Sequence, residues 1–597
     1  MSIISVPGFP PGRVSRRRVV QGIAGGALLL GAGGVGAAAR GPAASASVLS
    51  GTQFELSLDA LPVNITGRLR MATAVNGQLP GPLLRWREGE VVTLRVTNRM
   101  PQRSSIHWHG VIVPADMDGV PGLSSMGIAS GETFVYRFPV RQHGTYWYHA
   151  HARFQEQTGL YGALVIEPRD GERHVCERDY TLLLSDWTDA DPEYVYATLK
   201  RRSDNFNFHQ RTVADLSADI AHHGWQKALA SWAAWGRMRM DPTDLLDVSG
   251  ATYTYLINGS TPHENWTGVF GRGERVRLRF INGSSMSYFD VRIPGLKMTV
   301  VAADGQDVEA IDVDEFRIGA AEVYDVIVTP ADVRAYTIFA QAMDRSGYAR
   351  GTLAPQAGMQ APVPLLDPRP LLTMADLGMS HGTSMGTGMP MDMDMSGGGM
   401  ADMQATTQRA ATPASSQTDF GPAVDMVVPN PQPRLDDPGV GLRDNGRRVL
   451  RYADLHTIGG SIDAREPQRE IELHLTGHMQ RYLWSFDGQK FSAAEPLHFR
   501  YGERLRIVLV NDSMMTHPIH LHGMWSELEA DDGEFLVRKH TVSVQPAQRL
   551  AYRVSADALG RWAYHCHLLY HMEAGMFREV VVERQGGAAQ QPRESPP

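Results

Sequence analysis

Four His-x-His pairs are the residues of this sequence whose type and spacing point most directly to chemistry. The pairs are His107/His109, His149/His151, His520/His522 and His565/His567. Because side chains alternate along a β-strand, both imidazoles of a pair would lie on one face and converge on a common metal region. One such pair arises readily by chance or for packing, but four pairs indicate a metal cluster. Eight imidazoles suit three copper ions.

A second metal site is indicated around Cys566, which lies between the two histidines of the fourth pair. Its side chain must point to the opposite face of the strand, so it serves a separate site. His571 follows five residues later, Met576 ten residues later, and His517 stands three residues before the third pair. Two histidines, a cysteine and a distant methionine are the signature of a blue-copper electron-transfer site. A cysteine that merely packs beside histidines would not predict both spacings.

A methionine-rich segment is the third feature with chemical potential. Nine methionines lie between Met374 and Met403, among them the alternating Met389, Met391, Met393 and Met395. Thioethers are soft ligands that prefer Cu(I). The segment is rich in glycine and poor in other large apolar residues, so a core role is disfavoured. We interpret it as a mobile, copper-collecting loop with accessory Cu(I) sites.

The elements that must position these residues follow a threefold repeat. In each copy Gly-Glu is followed by an alternating apolar and polar run and then by Asn, nine residues after the Gly. The copies span Gly89 to Asn98, Gly273 to Asn282 and Gly502 to Asn511. The runs Val92–Val96, Val276–Phe280 and Leu505–Leu509 are predicted to be β-strands.

The repeat also aligns the histidine pairs. A pair begins nine residues after the Asn in the first and third copies, and a second pair begins five residues after Gly144 and Gly560. The middle copy has no histidine at either place; the aligned residues are Val291, Ile293, Phe339 and Gln341. The sequence therefore predicts three homologous β domains, with a metal cluster where the first and third meet.

The predicted fold class is all-β, with three Greek-key β-sandwich or barrel domains. The predicted boundaries are 1–46 signal peptide, 47–170 first domain, 171–357 second domain, 358–445 Met/Gly-rich linker, 446–586 third domain and 587–597 disordered tail. Within the second domain, Tyr194 to Leu245 breaks the β rhythm and is predicted to be a helical or irregular insertion.

An export signal is predicted at the N-terminus. The run Ser15-Arg16-Arg17-Arg18 precedes a Gly/Ala/Leu-rich stretch from Gly22 to Ala39 and then small residues at 44–46. This pattern is typical of a twin-arginine signal peptide. We expect recognition by the twin-arginine export machinery, cleavage after Ala46, a periplasmic location and no stable membrane insertion of the mature chain.

The composition excludes several classes of protein. A chain of 597 residues with 43% hydrophobic residues and a formal net charge of −8 has room for several cores and no basic character for nucleic-acid binding. There are only two cysteines, Cys176 and Cys566, so no disulfide framework is expected. Cys176 lies in a charged stretch and is interpreted as an incidental thiol.

The four histidine segments resemble the four copper motifs of multicopper oxidases, and the layout resembles their subfamily with three cupredoxin domains. The resemblance implies four copper ions. It implies that the type 1 copper is held by His517, Cys566, His571 and Met576, and the type 2 copper by His107 and His520. It implies that the type 3 pair is held by His109, His149, His151, His522, His565 and His567.

The resemblance also implies a reaction: one-electron oxidations whose electrons enter at the Cys566 site and reduce dioxygen to water. Asp118 matches the acid that the family uses near the type 2 copper for proton delivery, although a turn role before Gly119 is an alternative. Many relatives have a second acid directly after the last type 1 histidine, but here Met572 stands there, with Glu573 next.

The Met-rich segment resembles that of the CopA-like group of periplasmic copper-resistance multicopper oxidases, as do Tyr288–Gly295 and Ala320–Val328. The prediction is therefore a monomeric oxidase of Cu(I) in copper resistance. Two alternatives stay open. One is a laccase-like oxidase of small phenols, in which the segment shields the type 1 site. The other is a periplasmic copper-sequestering protein, in which the segment is the storage element.

Overall fold

The computed structural model describes residues 47–379, 420–421 and 423–584. The predicted signal peptide and C-terminal tail, and the residues Met389, Met391, Met393 and Met395, lie outside the described residues. Strands dominate the described part of the chain, which confirms the predicted all-β class. None of the helices in these ranges has the length and apolarity needed to span a bilayer.

The first repeat is a sandwich of two sheets. Its strands are β1 (Val48–Ser50), β2 (Gln53–Asn64), β3 (Leu69–Val75), β4 (Gly81–Arg87), β5 (Val91–Asn98), β6 (His107–His109), β7 (Thr133–Pro139), β8 (Gly144–His149) and β9 (Tyr161–Glu167). The sheet orders are β1-β4-β9-β8-β6 and β3-β2-β5-β7. One core joins the sheets, with Trp86 of β4, Leu94 of β5 and Tyr148 of β8 all buried in it.

The second repeat has a six-stranded and a five-stranded sheet. Its strands are β10 (Arg178–Trp187), β11 (Thr254–Ile257), β12 (Trp266–Val269), β13 (Val276–Asn282), β14 (Phe289–Arg292), β15 (Met298–Ala303), β16 (Gln306–Val313), β17 (Glu315–Ile318), β18 (Val323–Val328), β19 (Tyr336–Ala342) and β20 (Tyr348–Ala354). The sheet orders are β11-β10-β13-β18-β15-β16 and β12-β20-β19-β14-β17.

The third repeat has the same layout as the second. Its strands are β21 (Arg469–His478), β22 (Leu483–Phe486), β23 (Leu497–Arg500), β24 (Arg504–Asn511), β25 (His517–Leu521), β26 (Ser526–Glu529), β27 (Phe535–Lys539), β28 (Thr541–Val544), β29 (Arg549–Ser555), β30 (Gly560–Cys566) and β31 (Phe577–Glu583). The sheet orders are β22-β21-β24-β29-β26-β27 and β23-β31-β30-β25-β28. Every strand thus has a counterpart in the second repeat at the same place in the same sheet.

The three strands predicted from the repeat are confirmed as parts of β5, β13 and β24, and the Asn that ends each has one structural role. The side-chain amides of Asn98, Asn282 and Asn511 are buried, and each donates to two backbone carbonyls, one in the turn that follows and one in a neighbouring segment. A buried amide must find such partners, and here it ties the strand end to the turn that follows.

That turn is one residue longer in the middle repeat. Asn98 and Asn511 donate to the carbonyls of Gln102 and Met515, four residues on, whereas Asn282 donates to Ser287, five residues on. The strand that follows the turn, β14, is therefore shifted by one position relative to the predicted alignment.

The strand pairing locates the true counterparts of the histidines. Arg292 faces Phe339 across β14 and β19, just as His520 faces His565 across β25 and β30. The predicted counterparts Val291 and Ile293 were therefore wrong by one residue, because counting from Asn282 missed the extra turn residue. Arg292 lies over the Phe339 ring at 4.8 Å, so a cation–aromatic pair occupies the place of two imidazoles.

The predicted insertion is confirmed as mainly helical. It contains α1 (Pro192–Leu199), α2 (Val213–His223) and α3 (Trp225–Met238). Asp191 caps α1 by accepting the Glu193 N–H, and Thr212 caps α2. After α3 the chain enters the core through Leu245, Leu246 and Val248, which fixes the residue between them, Asp247. A fourth short helix, α4 (Leu569–Ala574), follows β30.

Candidate metal centre

The four His-x-His pairs meet between the first and third repeats. Their ligand-capable atoms form three groups, each with all its atoms within 4.8 Å of one another: His107, His109 and His520; His109, His149 and His567; His151, His522 and His565. Every group combines both repeats, so the cluster exists only when the two sandwiches are packed together. Seven of the eight side chains are buried, and His151 borders a cavity.

The two imidazoles of each pair point to one face, as strand geometry predicts, although in three pairs the strand ends between the two histidines. β6 contains His107 and His109, whereas β8, β25 and β30 end between the two histidines of their pairs. His107 faces His149, and His520 faces His565, in adjacent antiparallel strands. Strand pairing thus fixes the first histidine of each pair. The second histidine lies two residues further along, in the strand or just past its end, and points to the same face.

Ring nitrogens face one another across the cluster. The Nε2 atoms of His522 and His565 are 3.1 Å apart, those of His151 and His565 are 3.3 Å apart, and those of His149 and His567 are 3.4 Å apart. In the remaining group, His107 Nε2, His109 Nδ1 and His520 Nε2 are buried without a hydrogen-bond partner. Such lone pairs, turned toward each other in a dry interior, are satisfied by a cation that they share.

Burial favours the form of histidine that binds metal. It lowers the pKa of His109, His149, His151, His520, His522 and His567 well below the ordinary value, and that of His565 to about 4. A neutral imidazole offers the lone pair that a metal ion needs.

The outward ring nitrogens are held by fixed acceptors. The Nδ1 atoms of His107, His520 and His565 lie 2.9, 2.5 and 2.9 Å from the carbonyl oxygens of Asp118, His540 and Cys566. A proton on Nδ1 leaves Nε2 free, so the backbone sets both the tautomer and the direction of these three rings.

Asp118, a predicted site residue, lies directly against the cluster. Its Oδ2 is 2.9 Å from His522 Nδ1 and its Oδ1 is 3.2 Å from His107 Nδ1, and only 1% of the side chain is exposed. The turn reading also holds, because Gly119 has a φ of +78° and a Cβ there would collide with the Ile106 carbonyl. The turn therefore brings a buried carboxylate to two histidines of different groups.

Cys566 belongs to a separate group on the other face of its strand. Its Sγ is 3.6 Å from His517 Nδ1 and 3.9 Å from His571 Nδ1. Met576 is fully buried in the same loop, where its carbonyl accepts the Cys566 N–H at 3.1 Å. Burial raises the pKa of the thiol, so a metal ion must displace a proton to bind there.

His571 is enclosed from both sides. Trp484 stacks on the ring at 3.9 Å between centroids and 24° between planes. Asp247 from the insertion accepts at 2.6 Å from His571 Nε2, and the Tyr482 hydroxyl donates to the same carboxylate oxygen at 2.8 Å. The other oxygen of Asp247 is buried without a partner.

Two residues at these sites were missed in the sequence. For Asp247 a weak signal exists, since aspartates recur every three residues at 241, 244 and 247 just after α3. Glu156, whose Oε2 lies 2.6 Å from His149 Nδ1, gives no signal beyond being a charged residue five positions after a histidine pair.

The position after His571 is apolar in its surroundings as well as in its side chain. Met572 packs against Val120, Ala563 and Phe577, beside a cavity of about 510 Å³ that reaches His151. Glu573 also lines this cavity and pairs with Arg153 at 2.5 Å.

These donor sets fit copper. A thiolate with two imidazoles, next to a buried thioether, is a soft set suited to copper, and the imidazole groups suit copper as well as zinc or iron. Buried nitrogens without partners at the cluster are the feature that a bound ion would satisfy.

Comparison with known proteins gives a consistent result. Three family models described as multicopper oxidase match residues 59–171, 178–358 and 464–586. A copper resistance protein A homolog of Pseudomonas syringae pv. tomato is 56% identical over 594 residues, which cover 96% of this chain and 100% of the relative. Copper resistance protein A of Escherichia coli is 55% identical over 90% of this chain and 94% of its own.

Solved structures share the fold. The multicopper oxidase Fet3p, described as functioning in iron import, aligns with a TM-score of 0.62 and 19% identity, covering 89% of this chain and 90% of its own. The laccase of Botrytis aclada aligns with a TM-score of 0.60 and 20% identity, covering 90% and 88%. At such identities the likeness concerns architecture alone.

Proposed function

The chain belongs to the multicopper oxidase family of copper-dependent oxidoreductases, and from that premise we propose that it oxidises Cu(I) to Cu(II) in copper resistance, with reduction of dioxygen to water. Relatives of 55–56% identity are named copper resistance protein A, which supports the physiological part of the proposal.

Four coppers are proposed, with the ligands expected from the sequence. His517, Cys566, His571 and Met576 would hold the type 1 copper, and His107 and His520 the type 2 copper. The separation of the remaining six histidines into two groups of three supports one type 3 copper in each. When bound, the coppers supply one-electron acceptance at the thiolate site and dioxygen reduction at the histidine cluster.

The chain itself connects the two sites. Cys566 shares peptide bonds with His565 and His567, which belong to different histidine groups. This covalent path joins the thiolate to the cluster, and its start is held by the pairing of β30 with β25.

Proton supply is proposed for Asp118. Its carboxylate faces the Nδ1 atoms of both His107 and His522, so it can hold a proton beside the cluster or pass one on. The cavity at His151 is the proposed route for dioxygen, because a small neutral molecule can pass along the apolar part of its mixed lining, formed by Leu123, Phe491, Met572 and Phe577.

The burial of His571 is the observation that supports Cu(I) as the electron donor. Its ring is fully buried between Trp484 and Asp247, so a phenol has no aromatic surface or ring edge to contact. Asp247 is itself buried, but its carboxylate is hydrogen-bonded to the type 1 histidine and has an unpartnered oxygen, which suits a small cation better than a phenol. The methionine-rich segment would supply Cu(I) to this point.

Export to the periplasm by the twin-arginine route, with cleavage after Ala46, is part of the proposal. It rests on the sequence pattern at residues 15–46, and export of an already folded chain suits a metalloenzyme.

The decisive experiment compares two substrates in Asp247 variants. We expect Asp247→Ala and Asp247→Asn to lower kcat/KM for Cu(I) by about 10–100-fold, which corresponds to the loss of one charged contact. Oxidation of a small phenol should be unchanged in Asp247→Asn, and unchanged or faster in Asp247→Ala, because only the shorter alanine side chain uncovers the edge of His571. Asp219→Asn, on α2 of the same insertion, is the matched control and should leave both rates intact. Equal losses on both substrates would contradict Cu(I) entry at Asp247.

A further inference from the structure

In the described part of the chain, two carboxyl side chains contact the eight histidines of the cluster. Asp118 contacts His107 and His522, and Glu156 contacts His149. The Asp118 position was expected from the family resemblance. The Glu156 position has no counterpart in that expectation, and it serves a histidine of the other type 3 group.

The contact between Glu156 and His149 is short and dry. Glu156 Oε2 lies 2.6 Å from His149 Nδ1, and the two side chains are 4% and 2% exposed. Trp147 stacks on the other side of the imidazole, at 4.2 Å between centroids and 17° between planes. The ring is thus fixed in plane by the indole and in rotation by the carboxylate.

The opposite nitrogen of the same ring faces the cluster. His149 Nε2 is 3.4 Å from His567 Nε2. A histidine whose Nδ1–H is donated to a carboxyl oxygen has its lone pair on Nε2. The Ala150 carbonyl is also near His149 Nδ1, at 3.0 Å, but the Glu156 oxygen is closer, at 2.6 Å.

The loop that carries Glu156 is anchored in the second repeat. The neighbouring Gln157 accepts from the hydroxyls of Ser285, at 2.5 Å, and Tyr253, at 2.6 Å, and donates to the Asp186 carbonyl at 3.1 Å. These bonds fix the backbone beside Glu156, so the carboxylate does not depend on a mobile loop for its position.

We infer that Glu156 is a positioning residue of the reaction: it accepts the Nδ1–H of His149 and thereby directs His149 Nε2 to copper in the group formed with His109 and His567. The inference rests on the proposed copper role of His149. It assigns the second repeat a part in the cluster, because that repeat holds the Gln157 anchor.

The test uses copper binding and spectroscopy of the full-length mature protein. Glu156→Leu removes the acceptor and should weaken copper binding at this group about 10–100-fold, the usual cost of losing such a partner. Copper per chain should fall, and a paramagnetic-resonance signal from the unpaired type 3 copper should appear, while the blue absorption of the Cys566 site persists. Glu156→Gln replaces one carboxyl oxygen by an amide nitrogen but keeps an acceptor oxygen, so it should give an intermediate affinity.

Gln155→Ala is the matched control in the same loop. Gln155 bonds Ser104 and the Arg103 carbonyl, not a cluster histidine, so its removal should leave copper content and the resonance spectrum unchanged. Wild-type copper affinity and spectrum in both Glu156 variants would overturn the inference. If Glu156→Leu fails to fold, the near-isosteric Glu156→Gln decides alone, and wild-type affinity there overturns it. A wild-type protein without blue absorption would instead refute the proposed function.

Discussion

At the scale of single residues, a variant of Asp118 should distinguish proton supply from electron entry. It contacts two cluster histidines but lies outside the Cys566 group. We expect Asp118→Asn to slow dioxygen reduction by about 100-fold, the usual contribution of a positioned acid or base. Reduction of the type 1 site by excess Cu(I) without dioxygen should keep its wild-type rate. Stopped-flow absorption of the blue band measures both steps.

The matched control for this prediction is Asp116→Asn, because Asp116 is exposed in the same turn. A variant Asp118→Asn that reoxidises at the wild-type rate would remove Asp118 from the mechanism.

Residue spacing predicted those site residues whose partners are close in sequence. Each His-x-His pair, and Cys566 with His571 and Met576, is a local pattern, whereas the meeting of pairs from two repeats depends on tertiary packing. Asp247 and Glu156 act through contacts that no local pattern encodes. Asp247 meets His571 across 324 positions, and Glu156 is one of many acids until the loop is folded.

At the scale of elements, the methionine-rich segment should act as a donor of Cu(I) and not as a cover. We expect deletion of residues 378–403 to lower Cu(I) oxidation at least about tenfold at low Cu(I), because a tethered binding segment raises the local substrate concentration. Oxidation of a bulky phenol should change far less. Steady-state rates with both substrates measure the difference, and equal losses would contradict the collecting role.

The elements themselves were largely predictable. The alternation of apolar and polar residues predicted β5, β13 and β24, and the stretch without that alternation predicted the helical insertion. The register of β14 was not predictable, because one extra residue after Asn282 leaves no mark in the strand that follows. Neither could the sequence indicate that the insertion returns to the core at Asp247 and covers His571.

At the scale of the whole molecule, the three repeats share one β-sandwich fold but contribute different residues to the metal sites. The first and third repeats carry the histidines, and the register match between them was enough to predict where the cluster forms. The second repeat was predicted to carry no copper ligands, and it does lack the histidine pairs. It nevertheless supplies Asp247 to His571 and the anchors of Gln157.

Packing so many neutral histidines into one interface has a consequence for stability without copper. Burial lowers the folded-state pKa of these rings, to about 4 for His565 and His540, whereas an unfolded chain binds protons near pH 6.5. A lowered histidine pKa gives stability that is present above about pH 6.5 and is lost as the pH falls toward 4. Buried carboxyls act in the opposite sense, because burial raises their pKa values, most strongly those of Glu156 and Asp244, and they offset part of the histidine effect.

We therefore expect the copper-free protein to lose stability on mild acidification. The free energy of unfolding should fall by about 1.4 kcal/mol per pH unit for each net proton taken up on unfolding. Urea denaturation of the copper-free chain at about pH 7 and about pH 5.5 measures this, with the difference in midpoint as the readout. Copper competes for the same nitrogens, so the loaded protein should resist acid until copper is released. A copper-free chain with the same midpoint at both pH values would show that the cluster rings are not held neutral.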